Sequence, residues 1–247
     1  MGLLENKTSI VTGGGTEIGR EIARRFHLEG AYVLLCGRRE ERLQEACEEM
    51  SPGGRRIHYL VVDVTRKEDV SRIVEKALEK TGRIDILVNN DDRMAYGKVD
   101  RTDPSLWIEM MDTNAYAPWR LMVAALPEMR KVGGGAVVNI SCIAGTTPFS
   151  GLGVYGASHA ALQVLSRVMA KEVAHDNVRV NLICPAIIDC REEEVPEGAG
   201  ISELRGKNGN PKDVADAALF LVSDRSSWLT GLTVDLDAGR HLAATPP

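Results

Sequence analysis

The chain has 247 residues, of which 44% are hydrophobic and 26% are charged, and its formal net charge at pH 7 is −5. This composition is typical of a globular protein large enough to bury a full core, and it excludes a disordered or fibrous chain. The sequence has neither the Lys and Arg clusters that bind nucleic-acid phosphates nor an apolar run of the roughly 18 residues that a membrane span needs, so we expect no nucleic acid and no membrane as a partner.

Short apolar runs rich in β-branched residues alternate with amphipathic stretches along the chain. The runs predict strands over 8–12, 31–36, 57–62, 84–88, 136–141, 178–183 and 232–236. The amphipathic stretches predict helices over 18–29, 39–50, 67–80, 104–131, 155–175 and 212–223. Strands that are apolar throughout are buried on both faces, as in a parallel sheet covered by helices. We therefore predict one α/β domain over residues 1–247, a Rossmann-type doubly wound parallel sheet of about seven strands flanked by helices.

One segment departs from this alternation. Residues 189–211 are polar and rich in glycine, and they follow the carboxyl end of a predicted strand. Open α/β sheets bind their ligands at that end. Two interpretations remain open, a substrate lid and a solvated mobile loop.

The five cysteines have no metal-binding or redox spacing, and most lie in apolar runs. The first residues, MGLLENK, lead directly into a strand pattern and do not resemble a signal peptide. These features predict reduced thiols, a cytoplasmic location and no metal site.

Several motifs occur in a fixed order along the chain. They are TGGGTEIG at 12–19, DVT at 63–65, VNN at 88–90, MDTN at 111–114, NISCIAG at 139–145, Tyr155 at the head of a helix, CPAIID at 184–189 and TGLTVDLDAG at 230–239. Together and at this spacing they resemble the short-chain dehydrogenase/reductase family over essentially the whole chain. The resemblance implies an oxidoreductase with a nicotinamide coenzyme, NAD or NADP, that carries the hydride.

The resemblance also implies a catalytic set of Asn, Ser, Tyr and Lys. In that set Tyr is the general acid or base, Lys holds the nicotinamide ribose and lowers the Tyr pKa, and Ser positions the substrate oxygen. The matching positions here are Asn114, Cys142, Tyr155 and His159. A thiol is a poor donor, and an imidazole has a reference pKa near 6.5, so both changes weaken the set. Ser141 is expected to face the other side of its strand and is a poor substitute.

The coenzyme positions implied by the resemblance are altered as well. They are Gly13, Glu17, Ile18, Gly19, Arg38, Asp63, Asn90 and Ile188. Glu17 stands where the family has glycine, and its charge costs a bound diphosphate on the order of 1–4 kcal/mol. Because a helix N-terminus attracts anions, we interpret the Glu17 carboxylate as occupying the place of the phosphate. The alternative is an acid on the first helical turn that points to solvent.

Further departures fall in the same region. Asp91 and Asp92 replace two small residues, Ala186 replaces a glycine, and Cys190 replaces a threonine. Arg38 is either the relic of an NADP site or a surface arginine at a helix start. Because the changes cluster on the site while the strands and turns stay regular, we expect the coenzyme positions to be non-functional and this chain to bind no coenzyme.

Broad apolar faces over 155–175 and 115–126 predict an interface, which the resemblance places between subunits; the alternative is deep burial within one domain. We therefore hypothesise a non-catalytic subunit of a heterotetrameric dehydrogenase whose partner is a catalytically intact member of the family. The chain resembles the degenerate partner in a two-subunit enzyme of anaerobic toluene degradation that oxidises a hydroxyacyl-CoA. Two alternatives remain: a reductase that uses Cys142, Tyr155 and His159, and a coenzyme-free isomerase or dehydratase that uses Tyr155 and His159.

Overall fold

The computed structural model describes residues 2–53, 55–189 and 208–242. In these ranges seven parallel strands form one sheet in the order β3-β2-β1-β4-β5-β6-β7. The strands are β1 (Thr8–Thr12), β2 (Tyr32–Gly37), β3 (Ile57–Val61), β4 (Ile86–Asn89), β5 (Gly135–Ile140), β6 (Val178–Pro185) and β7 (Thr233–Leu236). The helices are α1 (Glu17–Leu28), α2 (Glu40–Met50), α3 (Lys67–Thr81), α4 (Pro104–Met111), α5 (Ala117–Lys131), α6 (Gly153–Val173) and α7 (Pro211–Val222). The predicted fold class is confirmed.

Helices cover both faces of the sheet, as the apolar strands predict. Phe26 of α1 and Leu219 of α7 are buried in the core on one face, which also includes residues of α2. Ile73 of α3, Met122 of α5 and Val173 of α6 are buried in the core on the other face. No helix in the described ranges is both long enough and apolar enough to cross a bilayer.

The predicted helix over 104–131 is interrupted in the structure. A π-helical turn, Asp112–Tyr116, separates α4 from α5. Pro118 stands at the second position of α5 and has no N–H to donate to the preceding turn. The local widening of the helix accommodates this missing hydrogen bond, and π-helical turns of this kind are frequent at functional sites.

The strand order reverses between β1 and β4, which are neighbours in the sheet. The chain leaves β1 toward α1 and β2 on one side, whereas it leaves β4 toward β5 on the other. Such a reversal opens a crevice beyond the carboxyl ends of the two strands. The glycine turn at 12–19 and the segment at 90–92 therefore face each other across this crevice.

The predicted lid-like segment at 189–211 lies largely outside the described residues, as does Cys190. Its two described ends are held together beside the crevice. Ile188 and Gly209 form a β-bridge, and the Asp189 N–H donates to the Gly209 carbonyl at 2.8 Å. The segment between them thus starts and ends at one point of the cleft rim.

Candidate functional site

The glycine turn after β1 is intact. Gly13 has a φ of +62°, a conformation that favours glycine. Thr16 caps α1, because its hydroxyl donates to the Gly13 carbonyl at 2.7 Å and accepts the Gly19 N–H at 3.3 Å. A side chain at Gly19 would collide with the Gly13 carbonyl, since its Cβ would lie 2.2 Å from the oxygen. Asn90 fastens the turn to β4 by donating from Nδ2 to the Thr12 carbonyl and the Thr16 hydroxyl, each at 3.2 Å.

The interpretation that the Glu17 carboxylate occupies the phosphate position is wrong. Glu17 is the first residue of α1, its side chain is 51% exposed, and its Oε1 atom lies 3.8 Å from Nη1 of Arg42 on α2. The helix end already has a side-chain acceptor, because Thr16 takes the Gly19 N–H. Glu17 therefore turns toward a cation on the neighbouring helix, close to the solvent-facing alternative.

A single cleft of about 940 Å³ joins the glycine turn to the catalytic positions. Its lining includes Gly13, Glu17, Ile18, Arg38, Asn90, Asp91, Asp92, Ser141, Cys142, Tyr155, His159 and Ile188. The sequence placed most of these residues in one site, and the structure brings them together. Asn114 and Gly19 lie behind this lining, and their contacts hold the lining residues in place.

At the far end of the cleft a tyrosine, a histidine and an aspartate are in mutual contact. The Tyr155 hydroxyl donates to Oδ2 of Asp92 at 3.1 Å. His159 follows one helical turn later, and its ring meets the Tyr155 ring edge-on with 4.5 Å between centroids. Its Nε2 atom lies 3.3 Å from Oδ1 of Asp92 but at an angle that makes no hydrogen bond; among the described residues this buried nitrogen has no hydrogen-bond partner.

Burial raises the pKa of Tyr155 far above the ordinary value of a phenol, and the adjacent Asp92 carboxylate and the Cys142 thiol raise it further. A negative charge beside a phenol opposes the formation of a second one. The family resemblance implies the reverse effect, a cation that lowers this pKa. The Tyr155 proton is therefore held more tightly here than in a site built around lysine.

Ser141 contributes to the site, contrary to the expectation that it faces away. It lies just after β5 ends at Ile140, so the strand alternation no longer fixes its direction. Its hydroxyl lies 3.3 Å from Nδ1 of His159, and Gln163 donates to the same hydroxyl at 3.3 Å. Cys142 also lines the cleft, and burial raises the pKa of its thiol. Ser141 thus orients the histidine ring from behind.

Asn114 is buried in the π-helical turn and has a structural role. Its Nδ2 atom donates to the Arg93 carbonyl and to the Ser158 hydroxyl, each at 3.0 Å. Its Oδ1 atom accepts the Arg93 N–H at 2.8 Å. These three bonds tie the segment after β4, which carries Asp91 and Asp92, to α6, which carries Tyr155.

Asp91 is a buried carboxylate at the glycine turn. Its N–H donates to the Thr12 hydroxyl at 3.3 Å, and its Oδ2 atom is buried without a hydrogen-bond partner among the described residues. Burial raises the pKa of Asp91 to about 6 and Asp63 adds to this effect, whereas Arg38 and hydrogen bonds from Gly13 N–H and Thr12 oppose it. The pH at which this carboxyl ionises is thus close to neutral.

A second cavity of about 200 Å³ adjoins the cleft, and Arg38, Asp63, Asp91 and Arg93 contribute to its lining. Oδ1 of Asp63 accepts from the N–H and the hydroxyl of Thr65, so it orders the turn after β3. Sequence reasoning treated Asp91 and Asp92 as departures and did not count them among the site residues. The available signal was their place directly after β4, at the strand reversal.

Comparisons with known proteins agree with the fold. Residues 15–241 match the family model described as "Enoyl-(Acyl carrier protein) reductase". The chain is 36% identical over 244 residues to "Dehydrogenase/reductase SDR family member 4" of Oryctolagus cuniculus, covering 96% of this chain and 94% of that protein. It is 35% identical over 243 residues to "3-oxoacyl-[acyl-carrier-protein] reductase FabG" of Chlamydia muridarum, covering 96% and 98%.

A crystal structure of a putative short-chain dehydrogenase/reductase from Burkholderia xenovorans superposes with a TM-score of 0.92 at 30% identity, covering 99% of this chain and all of that one. A short-chain type dehydrogenase/reductase from Mycobacterium ulcerans superposes with a TM-score of 0.89 at 29% identity. The shared fold extends over nearly the full length of each chain.

Proposed function

The chain belongs to the short-chain dehydrogenase/reductase family of oxidoreductases, and from that premise we propose that it is a non-catalytic subunit of a hetero-oligomeric NAD(P)-dependent alcohol dehydrogenase. One observation carries the proposal: the Tyr155 hydroxyl donates a hydrogen bond to the Asp92 carboxylate, and His159 stands where a lysine is expected. The relatives named as reductases show the family. The contact between Tyr155 and Asp92 is the feature that argues against catalysis by this chain.

The contact opposes the proton transfer that hydride chemistry needs. A carbonyl that accepts a hydride must also receive a proton, and an alcohol that loses a hydride must give one up. Tyr155 is a poor base because burial and Asp92 disfavour its ionisation, and it is a poor donor to substrate because its hydrogen bond is already used. His159 replaces a permanent cation with a ring whose reference pKa is near 6.5.

The residues at this end of the cleft also do not fit a nicotinamide coenzyme. A dinucleotide brings two negatively charged phosphates, and Asp91 and Asp92 line the cleft in which it would lie. Arg38, Arg39 and Arg240 line the same cleft, so it is the position of the two aspartates, beside the glycine turn and beside Tyr155, and not the net charge of the lining, that opposes the coenzyme. We therefore propose that this chain holds no NAD or NADP and that the coenzyme belongs to the partner subunit.

An apolar surface supports the proposed partner. The described helices expose large hydrophobic side chains at Trp107, Ile108, Tyr116, Val123, Val164, Leu165 and Val168. Four of them, Trp107, Ile108, Tyr116 and Leu165, line a shallow cavity of about 650 Å³ between α4, α5 and α6. Contiguous apolar patches on this scale mark protein–protein contacts. We propose a catalytically intact family member as the occupant, in a cytoplasmic heterotetramer; the four described cysteines are free thiols, as that location requires.

For the substrate of the assembly we propose a hydroxyacyl-CoA, such as 2-[hydroxy(phenyl)methyl]succinyl-CoA in anaerobic toluene degradation. This proposal extends the resemblance to two-subunit dehydrogenases with one degenerate partner. Purified complex would be assayed for coenzyme reduction with a panel of hydroxyacyl-CoA thioesters and with the matching free acids. Equal activity on simple alcohols would contradict the substrate class but leave the subunit role intact.

The test of the subunit role is co-expression with the products of neighbouring genes. We expect the chain to purify with an intact sister, and we expect coenzyme titration of the complex to saturate at one molecule per pair of unlike subunits. Micromolar coenzyme binding by the chain alone, or reduction of NAD(P) by it at 340 nm, would instead establish an active reductase with an atypical site.

A second candidate is a coenzyme-free proton transfer, and the contact between His159 and Asp92 favours it. The Ser141 hydroxyl lies 3.3 Å from Nδ1 of the imidazole, and Nε2, which has no hydrogen-bond partner among the described residues, is the nitrogen that can accept a proton as a general base. An isomerase or dehydratase reaction of the single chain, lost in His159→Ala and retained without nucleotide, would support it.

A further inference from the structure

We propose that Asp91 and Asp92, and not Glu17, are the residues that keep a dinucleotide out of the cleft. This inference rests on the proposed function and names its physical cause. Both aspartates follow β4 at the strand reversal, where the carboxyl ends of β1 and β4 open the ligand crevice. Both line the 940 Å³ cleft, one beside the glycine turn and the other beside Tyr155.

Asp91 acts on the turn that would hold the diphosphate. Its backbone N–H donates to the Thr12 hydroxyl at 3.3 Å, which places its carboxyl group beside the turn. The carboxyl group lines the cleft, and its Oδ2 atom is buried without a hydrogen-bond partner among the described residues. A phosphate approaching this turn therefore meets the negative charge of the ionised carboxylate.

Asp92 acts on the opposite end of the same cleft. One carboxylate oxygen accepts a hydrogen bond from the Tyr155 hydroxyl at 3.1 Å, and the other lies 3.3 Å from Nε2 of His159. The carboxylate thus occupies the space in front of both catalytic positions, where a nicotinamide ribose and a substrate oxygen would have to lie. Although the Asp92 side chain is 43% exposed, Asn114 anchors its segment through the backbone of Arg93.

Glu17 lines the same cleft, but its carboxylate is paired with a surface cation instead of lying against Thr12 or Tyr155. Its side chain is half exposed and its carboxylate is directed to Arg42, so it can move with the solvent-facing surface of α1 and α2. The helix N-terminus behind it keeps the Thr16 cap. Removal of Glu17 alone therefore leaves the two inner carboxylates in place.

The experiment measures coenzyme affinity by calorimetry on the full chain, with NAD⁺, NADH, NADP⁺ and NADPH. The variants are Asp91→Ala/Asp92→Gly, which restores the small residues of the family, and Glu17→Gly as the matched single change. We expect no saturation of the wild type or of Glu17→Gly at about 1 mM coenzyme, and a dissociation constant at least about tenfold lower for the double variant. Ligand-induced shifts of the melting temperature provide a second readout.

The isosteric variant Asp91→Asn/Asp92→Asn separates charge from shape and guards against misfolding. It keeps the volume of both side chains, and we expect an intermediate gain in affinity. Circular dichroism and thermal unfolding show whether each variant retains the fold. In the assembled complex the same variants are expected to raise the number of coenzyme molecules bound per pair of subunits from one toward two.

The outcomes separate this inference from the proposed function. If the wild type fails to bind but folded Asp91→Ala/Asp92→Gly also fails, or if Glu17→Gly alone restores binding, the inference is overturned and the non-catalytic role stands. If the wild type itself binds a coenzyme at micromolar concentration, both are overturned. If the double variant binds and Glu17→Gly does not, the two aspartates are the cause.

Discussion

The carboxylate of Asp91 lies at the edge of the glycine turn, and one of its oxygens is buried without a hydrogen-bond partner among the residues that the structure describes. Burial raises its pKa from 3.8 to about 6, against the opposing effect of Arg38 and with a contribution from Asp63. Above this pH the folded chain must hold a buried charge that the unfolded chain exposes to water. Between about pH 6 and pH 4 the folded state binds the proton more tightly, so the contribution of Asp91 to stability increases as the pH falls.

This linkage predicts a difference between the wild type and Asp91→Asn, which has a permanently neutral side chain. From about pH 7.5 to about pH 5 the wild type should gain about 1 kcal/mol of unfolding free energy relative to the variant. Urea unfolding at the two pH values measures the difference. Asp100→Asn is the control, because the Asp100 side chain is 75% exposed; an equal pH dependence in both variants would contradict the assignment.

At the residue scale, the sequence predicted which residues lie in the site better than it predicted the contacts that those residues make. Cys142, Tyr155 and His159 share one cleft, as the motif spacing indicates. The direction of Glu17 was not predictable, because it depends on Arg42 of another helix. The contact of Asp92 with Tyr155 depends in the same way on the path of the chain after β4, which no local pattern determines.

At the scale of elements, the π-helical turn Asp112–Tyr116 brings Asn114 under the segment after β4. The buried Asn114 amide makes three hydrogen bonds, to both backbone groups of Arg93 and to Ser158. The turn therefore ties the segment after β4 to α6 through this side chain, in addition to the direct packing of α4 and α5 on α6. These bonds give Asn114 a structural role.

We expect Asn114→Ala to lower the free energy of unfolding by about 2 kcal/mol, because it leaves buried backbone and hydroxyl groups without partners. Hydrogen exchange should show the largest loss of protection near Arg93. Ser158→Ala is a matched change, since it removes one of the three bonds and should cost less. A loss spread evenly over the sheet would contradict the anchoring role.

The strands were predicted to within about two residues at each end, because buried parallel strands are continuous apolar runs. The interruption near residue 112 was not predicted. Helical periodicity in the sequence continues across it. The wider π-helical turn is visible only in the backbone hydrogen bonds of the structure, next to Pro118.

At the scale of the whole molecule, the exposed apolar side chains on α5 and α6 are directed away from the core that those helices build. Val164 is 54% exposed on α6, one face away from the buried residues of the same helix. A polar substitution on such a surface leaves the free energy of unfolding of the single chain nearly unchanged. The same substitution weakens assembly when a partner covers the surface.

Val164→Glu should therefore leave the melting temperature of the single chain nearly unchanged and abolish co-purification with the proposed sister subunit. Leu28→Glu is the control, since Leu28 is 62% exposed at the end of α1, a helix that packs on the other face of the sheet. Size-exclusion chromatography of the co-expressed proteins distinguishes the two variants. Retention of the complex by Val164→Glu would place the interface elsewhere.

All seven strands direct their carboxyl ends toward one rim, and the substituted positions lie near it, in the turns and in the first two turns of α1 and α6. Selection for a stable interior acts on the strands, whereas selection for reactivity acts on those turns. The two pressures are nearly independent, so a duplicated gene can exchange its reactivity for an accessory role through a handful of codons. Such a change requires no unstable intermediate protein, and reversal of the same few substitutions is the way to restore reactivity.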